Sequence, residues 1–591
     1  MADYRPPIAD IVHALTTVAD LPELLATDRY SHVDVDTVVG VVEEVGRFMS
    51  EVIAPTNRDG DTIKATWHAD GSVTIPESFK AAYAQYVASG FGAMPFDPEY
   101  GGADFPWVTA LAVQEMLNSA NMAMALCPLL TQGAIDALEA HGSPEQQQVY
   151  LPKMLTGEWA GTMNLSEPQA GSDVGAVRTK AEPVGDGSWR ISGTKIWITF
   201  GEHDMTEQIV HLVLARTPGA PPGTKGISMF LVPKFLVNAD GSLGERNDVT
   251  CVSIEHKLGI HGSPTCVLAY GENGGAIGWL VGEENEGMRN MFTMMNNARL
   301  SVGLQGLAIA ERAYQDAVQY ANERRQGRAI GSPAGEQSLI VEHPDVRRLL
   351  MMQRAWIDAM RALTYTNAVC LDMAKAAGDP DTSRAWRERA DLYIPLSKSL
   401  CTDVAQECTS AAVQIFGGMG YVEETGVAQH YRDARILPIY EGTNGIQAAD
   451  LVGRKLGMRS GGVVMDELDR CEAVAERLQA EAGMTTFAAN LRSAVDTCRR
   501  ATDHLVATSS SDPSSLLAAS TPYLRLLGTT VCAGLLGKAA LDVDSSATFG
   551  AARVVAARFF GEQILPAAEG LAGAVHATAE DLFAIPAEAF V

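Results

Sequence analysis

The sequence is poor in positive charge, since 45 Lys and Arg residues stand against 72 Asp and Glu residues and leave a net charge of −27. A surface this acidic repels phosphate backbones and anionic lipid headgroups, so we expect no nucleic-acid partner and no membrane-surface partner. A small anionic ligand in a local basic pocket is still compatible with this charge. Hydrophobic residues make up 47% of the 591 positions, which is ordinary for a globular enzyme and excludes wholesale disorder.

The nine cysteines show no C-x-x-C spacing and no zinc-like grouping with histidine, so no metal site is predicted. An odd number of scattered cysteines favours reduced thiols and a cytoplasmic location over a disulfide framework. The N-terminus contains an acid and two prolines where a signal peptide has a basic start and an apolar run. The apolar stretch 524–543 contains Arg525, Lys538 and Asp542, which predicts a buried helix and no membrane span.

Common catalytic signatures are also missing from the sequence. It contains no G-x-G-x-x-G after a strand, no G-x-x-x-x-G-K-[S/T], no H-E-x-x-H and no G-x-S-x-G. Rossmann and P-loop nucleotide sites are therefore excluded, and hydrolases and kinases lack support.

The hydrophobic pattern predicts an α+β multidomain protein. Residues 38–158 have apolar positions at helical spacing and predict a helical N-domain, preceded by an extension, 1–37. Residues 159–282 contain short β-forming runs separated by turn residues, which predicts an antiparallel, β-barrel-like middle domain. Helical spacing returns over 283–457, and the Ala- and Leu-rich segment 463–591 predicts an additional C-terminal helical domain.

Four segments are dense in residues that suit a ligand site: 163–173, 193–199, 299–328 and 414–447. An indole such as Trp197 can cover a flat ring while a hydroxyl two residues later on a strand, Thr199, reaches a ring heteroatom. The carboxylate of Glu441 is predicted to lie on a loop between Pro438 and a helix start, where apolar neighbours would strengthen it as a base and the helix terminus would oppose that effect. Each feature also has a structural explanation: a Trp filling a domain junction, a polar turn, solvated helix-end arginines and a helix-capping glutamate.

Together these motifs resemble the acyl-CoA dehydrogenase family of flavoproteins over roughly residues 40 to 456. The two ends are similar to a longer bacterial subgroup, which includes broad-specificity fatty acyl-CoA and 3-methylmercaptopropionyl-CoA dehydrogenases. The resemblance implies FAD as cofactor, an acyl-CoA substrate from fatty acid β-oxidation and an electron-transferring flavoprotein as partner. It implies that Glu441 removes the α-proton while flavin N5 accepts the β-hydride, giving a trans-2-enoyl-CoA.

The resemblance also implies roles for the other motif residues. Those expected at the cofactor are Met163, Leu165, Ser166, Gly171, Ser172, Trp197, Thr199, Arg324, Gln326, Gln414, Gly417, Gly418 and Thr443. Those expected at the acyl-CoA are Ser172, Arg299, Tyr440 and Gly442. On one continuous helix Arg299 and Arg324 would lie about 37 Å apart, so they cannot serve one compact site. The resemblance places Arg324 against the flavin of a neighbouring subunit, which predicts a homodimer.

Three alternatives remain open at this point. An acyl-CoA oxidase would share the motifs but pass electrons to oxygen. A DNA-binding relative of the family would need a basic groove, which the net charge opposes. A catalytically silent flavoprotein is disfavoured by the glutamate at position 441. The sequence also departs from the family pattern at Gly445, at Asn296, at His343-Pro344 and at Gln326-Gly-Arg328.

Overall fold

The computed structural model describes residues 3–333 and 335–590 and contains two compact units. We call Glu44–Ser301 the β-containing unit, and Met1–Glu43 together with Val302–Val591 the helical unit. Helices precede, flank and follow one main β-sheet, which confirms the predicted fold class.

The elements follow the chain in four groups. The first helices are α1 (Ile8–His13), α2 (Leu21–Leu25), α3 (Val35–Phe48), α4 (Asn57–Thr62), α5 (Glu77–Ser89), α6 (Trp107–His141) and α7 (Pro144–Thr156). The strands are β1 (Thr66–Trp67), β2 (Val73–Thr74), β3 (Trp159–Asn164), β4 (Lys180–Pro183), β5 (Trp189–Thr199), β6 (Gln208–Ala215), β7 (Ser228–Pro233), β8 (Phe235–Val237), β9 (Leu243–Arg246), β10 (Val249–Ile254), β11 (Thr265–Tyr270) and β12 (Ala276–Leu280). Next come α8 (Gly287–Glu323), α9 (Pro344–Ala376), α10 (Pro380–Phe416), α11 (Val427–Ala434) and α12 (Asn444–Asp450). The last helices are α13 (Gly462–Gln479), α14 (Thr485–Thr508), α15 (Pro513–Ala518), α16 (Ser520–Asp542), α17 (Thr548–Phe559), α18 (Leu565–Glu569), α19 (Ala572–His576) and α20 (Glu580–Ala584).

Local sequence explains where several elements begin and end. Helix α7 starts at a capping box in which Ser143 and Gln146 satisfy each other's backbone amides, and it ends at Gly157 in the left-handed region. The Asp186-Gly, Pro221-Pro-Gly and Asp240-Gly turns separate β4 from β5, β6 from β7 and β8 from β9, as the sequence predicts.

The main sheet has the strand order β10-β11-β5-β12-β7-β6-β3, with β4 beside β5. Its pairs are antiparallel except for β3 and β6, which are parallel. The prediction of a purely antiparallel domain misses this pair, because β4 and β5 intervene in the chain and the connection is a crossover instead of a hairpin.

The sheet is curved, so that β11, near one end, contacts β3 at the other end. The Tyr270 hydroxyl on β11 donates to the Asn164 carbonyl on β3 at 2.9 Å, although four strands stand between them in the sheet order. Asn164 in turn donates to the Thr162 hydroxyl, which lies 2.7 Å from Nδ1 of His211 on β6. A buried chain of hydrogen bonds therefore links β3, at one end of the sheet, to β11 near the other end.

The helical unit joins the N-terminal segment to the helices that follow residue 302. Asp10 forms 2.8 Å ion pairs with Arg354 on α9 and Arg553 on α17, so the segment packs on the later helices. Helices α8 and α10 approach closely at Gly303 and Gly306, where an added Cβ would lie 2.5 and 2.6 Å from backbone oxygens of α10. Helix α16 contacts α9, α10, α13 and α14, which makes the C-terminal helices part of this unit.

Among the residues that the structure describes, one helix, α16, is long and apolar enough to cross a membrane, but 83% of its most apolar stretch is buried inside the protein. This agrees with the predicted buried helix over 524–543. The nine cysteines are free thiols and all are buried.

The two buried histidines of the β-containing unit predict acid sensitivity. Burial, with Lys234 nearby, lowers the pKa of His203 and of His211 to about 3. The unfolded chain binds their protons near pH 6.5, so between about pH 6.5 and 3 stability falls as the pH falls. We expect each histidine to cost about 2–3 kcal/mol at pH 4.5.

Thermal melts of His211→Gln between pH 4 and 7 test this expectation. The variant should lose less Tm on acidification than the parent protein. His256→Gln, which changes an exposed histidine, should follow the parent curve. Equal slopes for all three proteins would show that His211 does not control acid stability.

Candidate active site

The predicted site residues fall into both units, and each set is described within its own unit. The β-containing unit carries Met163, Leu165, Ser166, Gly171, Ser172, Trp197, Thr199 and Arg299. The helical unit carries Arg324, Gln326, Gln414, Gly417, Gly418, Tyr440, Glu441, Gly442 and Thr443.

The first motif follows the end of β3 and meets the end of β5. Met163 is buried within β3, and the Ser166 carbonyl accepts a hydrogen bond from the Ile196 amide at 3.0 Å. Beyond a tight turn, Gly171 and Ser172 are exposed. The structure therefore brings this motif and the Trp197 motif together, as their proposed common role requires.

Trp197 occupies a β-bulge that the alternating pattern did not predict. Its φ is +60°, the pairing of β11 with β5 shifts between Cys266 and Leu268, and the indole is 58% exposed. An added Cβ at Gly171 would lie 4.0 Å from Cζ3 of this ring. A large exposed aromatic held in a sparsely populated backbone conformation is typical of a ligand contact.

A buried ion pair holds these two segments. The Lys195 ammonium donates to the Leu165 carbonyl and to Glu167, both at 2.9 Å, and the two side chains are 0% and 4% exposed. Burial opposes the charge of Glu167, but Lys195 and donors from Thr179 and Arg178 lower its pKa to about 2. Sequence reasoning missed this pair, because nothing in the motif indicates that Lys195 points inward.

Arg299 lies on α8 and is 4% exposed, with its guanidinium carbon 5.8 Å from the centre of the Phe292 ring. Its burial argues against a solvated helix-end arginine. A buried guanidinium suits an anionic or carbonyl ligand.

In the helical unit, Arg324 and Gln326 are exposed immediately after α8. The backbone is ordered by the Gln326 amide donating to the Ser338 carbonyl at 3.0 Å and by His343 bonding the Gln326 carbonyl at 2.8 Å. Gln414, Gly417 and Gly418 are also exposed, at the end of α10, and nothing lies within 4 Å of an added Cβ at either glycine. Both groups are exposed, as the residues of a ligand-binding surface would be.

Glu441 lies on a loop between α11 and α12 and has a φ of +55°, which is unusual for a residue other than glycine. Thr443 directly precedes α12, and its hydroxyl accepts from the Ile446 amide at 3.2 Å. Thr443 is therefore a helix cap as well as a predicted cofactor contact. The Tyr440 hydroxyl donates to Gln305 on α8, and burial, with the charge of Glu441, raises its pKa.

Asn444 anchors this loop to α10 through its side chain. Its side-chain carbonyl accepts from the buried Lys398 ammonium at 2.9 Å, and its amide donates to Asp403 at 2.7 Å and to Thr402 at 2.9 Å. All three partners lie on α10, so the loop and the helix that carries Gln414 are one assembly. Sequence reasoning missed Lys398, because this lysine belongs to none of the four motif segments.

Comparisons with known proteins cover nearly the whole chain. Family models match as "Acyl-CoA dehydrogenase, N-terminal domain" over residues 39–158, the middle domain over 162–271 and the C-terminal domain over 285–456. A fourth, "Acetyl-CoA dehydrogenase C-terminal like", matches residues 466–586.

Two relatives and one solved structure indicate the breadth of this similarity. The chain is 46% identical to a 3-methylmercaptopropionyl-CoA dehydrogenase of Ruegeria pomeroyi, over 95% of this chain and 96% of the relative. It is 38% identical to a broad-specificity linear acyl-CoA dehydrogenase of Mycobacterium tuberculosis, over 79% and 77%. An acyl-CoA dehydrogenase from Bacillus anthracis, complexed with FAD, shares the fold with a TM-score of 0.74 at 20% identity, over 95% and 90%.

The Lys195–Glu167 pair yields a stability prediction. Lys195→Met leaves Glu167 buried without its counter-ion and should destabilise the β-containing unit by about 3–5 kcal/mol. The double variant Lys195→Met/Glu167→Gln should recover part of that loss, since no buried charge remains. Tm values measure both effects, with the exposed pair variant Arg384→Met as a control expected to change little. A double variant as unstable as Lys195→Met would contradict the pairing.

Proposed function

Because this chain belongs to the acyl-CoA dehydrogenase family, we propose that Glu441 is the base that opens its reaction. The chain is an acyl-CoA dehydrogenase and its cofactor is FAD. The position of Glu441 carries the proposal: a carboxylate on a fixed loop at a helix start, next to Tyr440, whose hydroxyl is bonded to Gln305.

The proposed reaction removes two hydrogens from an acyl-CoA. The Glu441 carboxylate takes a proton from the α-carbon, and the Glu441 backbone amide polarises the thioester carbonyl to acidify that carbon. When bound, FAD supplies the acceptor for the hydride that leaves the β-carbon. The product is a trans-2-enoyl-CoA, with the α-proton left on Glu441.

Each unit carries residues that suit one part of a flavin. We assign the ring to Trp197, Thr199, Met163, Leu165 and Ser166, since Trp197 presents an uncovered aromatic face. We assign Gly171, whose added Cβ would lie 4.0 Å from the Trp197 ring, and Ser172 to the cofactor or the acyl-CoA. The open surface at Gln414, Gly417 and Gly418 suits the adenine end, and the Thr443 hydroxyl stands at a helix start where backbone donors favour phosphate. Tyr440, Gly442 and Arg299 are assigned to the acyl-CoA.

Further parts of the proposal concern partners. Arg324 and Gln326 are exposed, so they are available to the flavin of a second subunit, and we propose a homodimer. We propose that an electron-transferring flavoprotein oxidises the reduced enzyme. We also propose that the enzyme is located in the cytoplasm. For the substrate we propose unbranched acyl-CoA thioesters, including 3-methylmercaptopropionyl-CoA, on the basis of the two relatives.

Glu441→Gln tests the base. The variant keeps the size of the side chain but cannot accept a proton, so we expect the rate of flavin reduction to fall about 100- to 10,000-fold. Anaerobic bleaching of the visible flavin spectrum by an acyl-CoA measures it. Glu424→Gln, at an exposed glutamate, should react like the parent. Bleaching that survives in Glu441→Gln would mean that another group is the base.

A substrate panel tests the remaining assignments. Butyryl-CoA and 3-methylmercaptopropionyl-CoA should bleach the flavin faster than isobutyryl-CoA, because a branch at the α-carbon crowds the carboxylate. Peroxide should form slowly in air and turnover should need an added electron acceptor. Rapid stoichiometric peroxide would identify an oxidase instead.

A further inference from the structure

A cavity of about 370 Å³ lies in the helical unit, at the junction of the N-terminal segment with α9, α10, α13 and α16. Its volume is within the range of small-molecule sites. None of the predicted flavin or acyl-CoA residues lines it, and the Glu441 loop and its anchor Asn444 are absent from its wall. The cavity is therefore distinct from the proposed active site.

Helical spacing creates the wall. On α9 the lining residues Thr366, Val369, Cys370 and Met373 recur three and four positions apart, so one face of the helix forms one side. On α13 the same spacing places residues 467, 470, 471, 474 and 477 on the opposite side. The wall contains both apolar and charged side chains.

The charged groups of the wall have a definite arrangement. Arg389 and Glu467 form an inner ion pair at 2.9 Å, with side chains 17% and 2% exposed. Arg470 and Arg477 on α13 are half exposed, and each makes one ion pair within the described chain, to Glu467 and to Asp542. A guanidinium has five donors, so both retain donors for an added anion. The wall holds four cations and three carboxylates although the protein carries a net charge of −27.

Thr366 gives an independent sign of a ligand. Its side chain is 94% buried by accessible area, since 6% is exposed, and its hydroxyl has no hydrogen-bond partner in the described structure. Two residues earlier on the same helix, the Thr364 hydroxyl donates a hydrogen bond to the Met360 carbonyl at 2.9 Å. A buried hydroxyl without a partner costs free energy unless a ligand or water completes it.

We propose that this cavity binds a small amphipathic carboxylate. The aliphatic part lies against Val369, Met373 and Leu535, and the carboxylate accepts from Arg470, Arg477 and the Thr366 hydroxyl. An amphipathic cation is disfavoured, because the wall offers an excess of positive charge and its inner carboxylate is already paired with Arg389.

Calorimetric titration of the FAD-loaded full chain with decanoate tests the proposal, with decyltrimethylammonium as the matched cation. We expect one saturable decanoate site per chain and no saturable heat from the cation. Arg470→Gln/Arg477→Gln should raise the decanoate Kd about tenfold or more, and Thr366→Val, which keeps the shape of the side chain, should raise it by a smaller factor.

Two further variants separate this cavity from the active site. Ala473→Trp, at an exposed position of the wall, should fill the opening and abolish decanoate binding while the far-UV CD spectrum and Tm stay near those of the parent. Arg500→Gln removes an exposed charge outside the cavity and should leave the Kd unchanged. The proposal is overturned by absent decanoate binding, by equal binding of the cation, or by decanoate binding that survives Ala473→Trp.

Discussion

The hydrogen bonds of Asn444 hold together the part of the helical unit on which the chemistry depends. One side chain accepts from a buried lysine and donates to three groups of α10, including the Ser399 carbonyl at 3.2 Å. Because Lys398, Ser399 and Thr402 are buried, their bonds to Asn444 are costly to leave unmade, and the loop that follows Tyr440 has little freedom. Burial also raises the pKa of Asp403, so the cluster combines a buried cation and a carboxyl of reduced acidity. The left-handed backbone of Glu441 is tolerated because both ends of its loop are fixed.

The β-containing unit uses the same kind of support. Lys195 and Glu167 are buried, so their desolvation is unfavourable. Their mutual attraction and the hydrogen bonds that Thr179 and Arg178 donate to Glu167 offset this cost. The ion pair thereby holds the turn after β3 and the bulge in β5 in a fixed position relative to each other. The exposed indole of Trp197 thus stands on a rigid base, although its own surroundings are open. In both units a buried lysine positions a loop that carries predicted ligand contacts.

The C-terminal helices pack on the rest of the helical unit and form part of a cavity wall. Helix α16 lies against α9, α10, α13 and α14, and α13 supplies one wall of a cavity that the N-terminal segment completes. The cavity has its own cations and an unsatisfied buried hydroxyl, which the packing of apolar helices alone does not explain. A segment that stabilises the helical bundle can therefore also create a second binding site on the same unit.

Sequence alone was sufficient for the order of helical and β regions, for most turns between strands and for the loop position of Glu441, because these follow from local periodicity, proline, glycine and capping residues. It was also sufficient for the family, through motifs contiguous in the chain. Only the tertiary structure decided that β3 runs parallel to β6, that β5 bulges at Trp197, and that Lys195, Lys398 and Arg299 point into the interior. It alone assembled the cavity, whose wall comes from segments hundreds of residues apart. The physical reason is that burial and pairing of a polar side chain depend on which distant segments close around it, and local pattern contains no record of those neighbours.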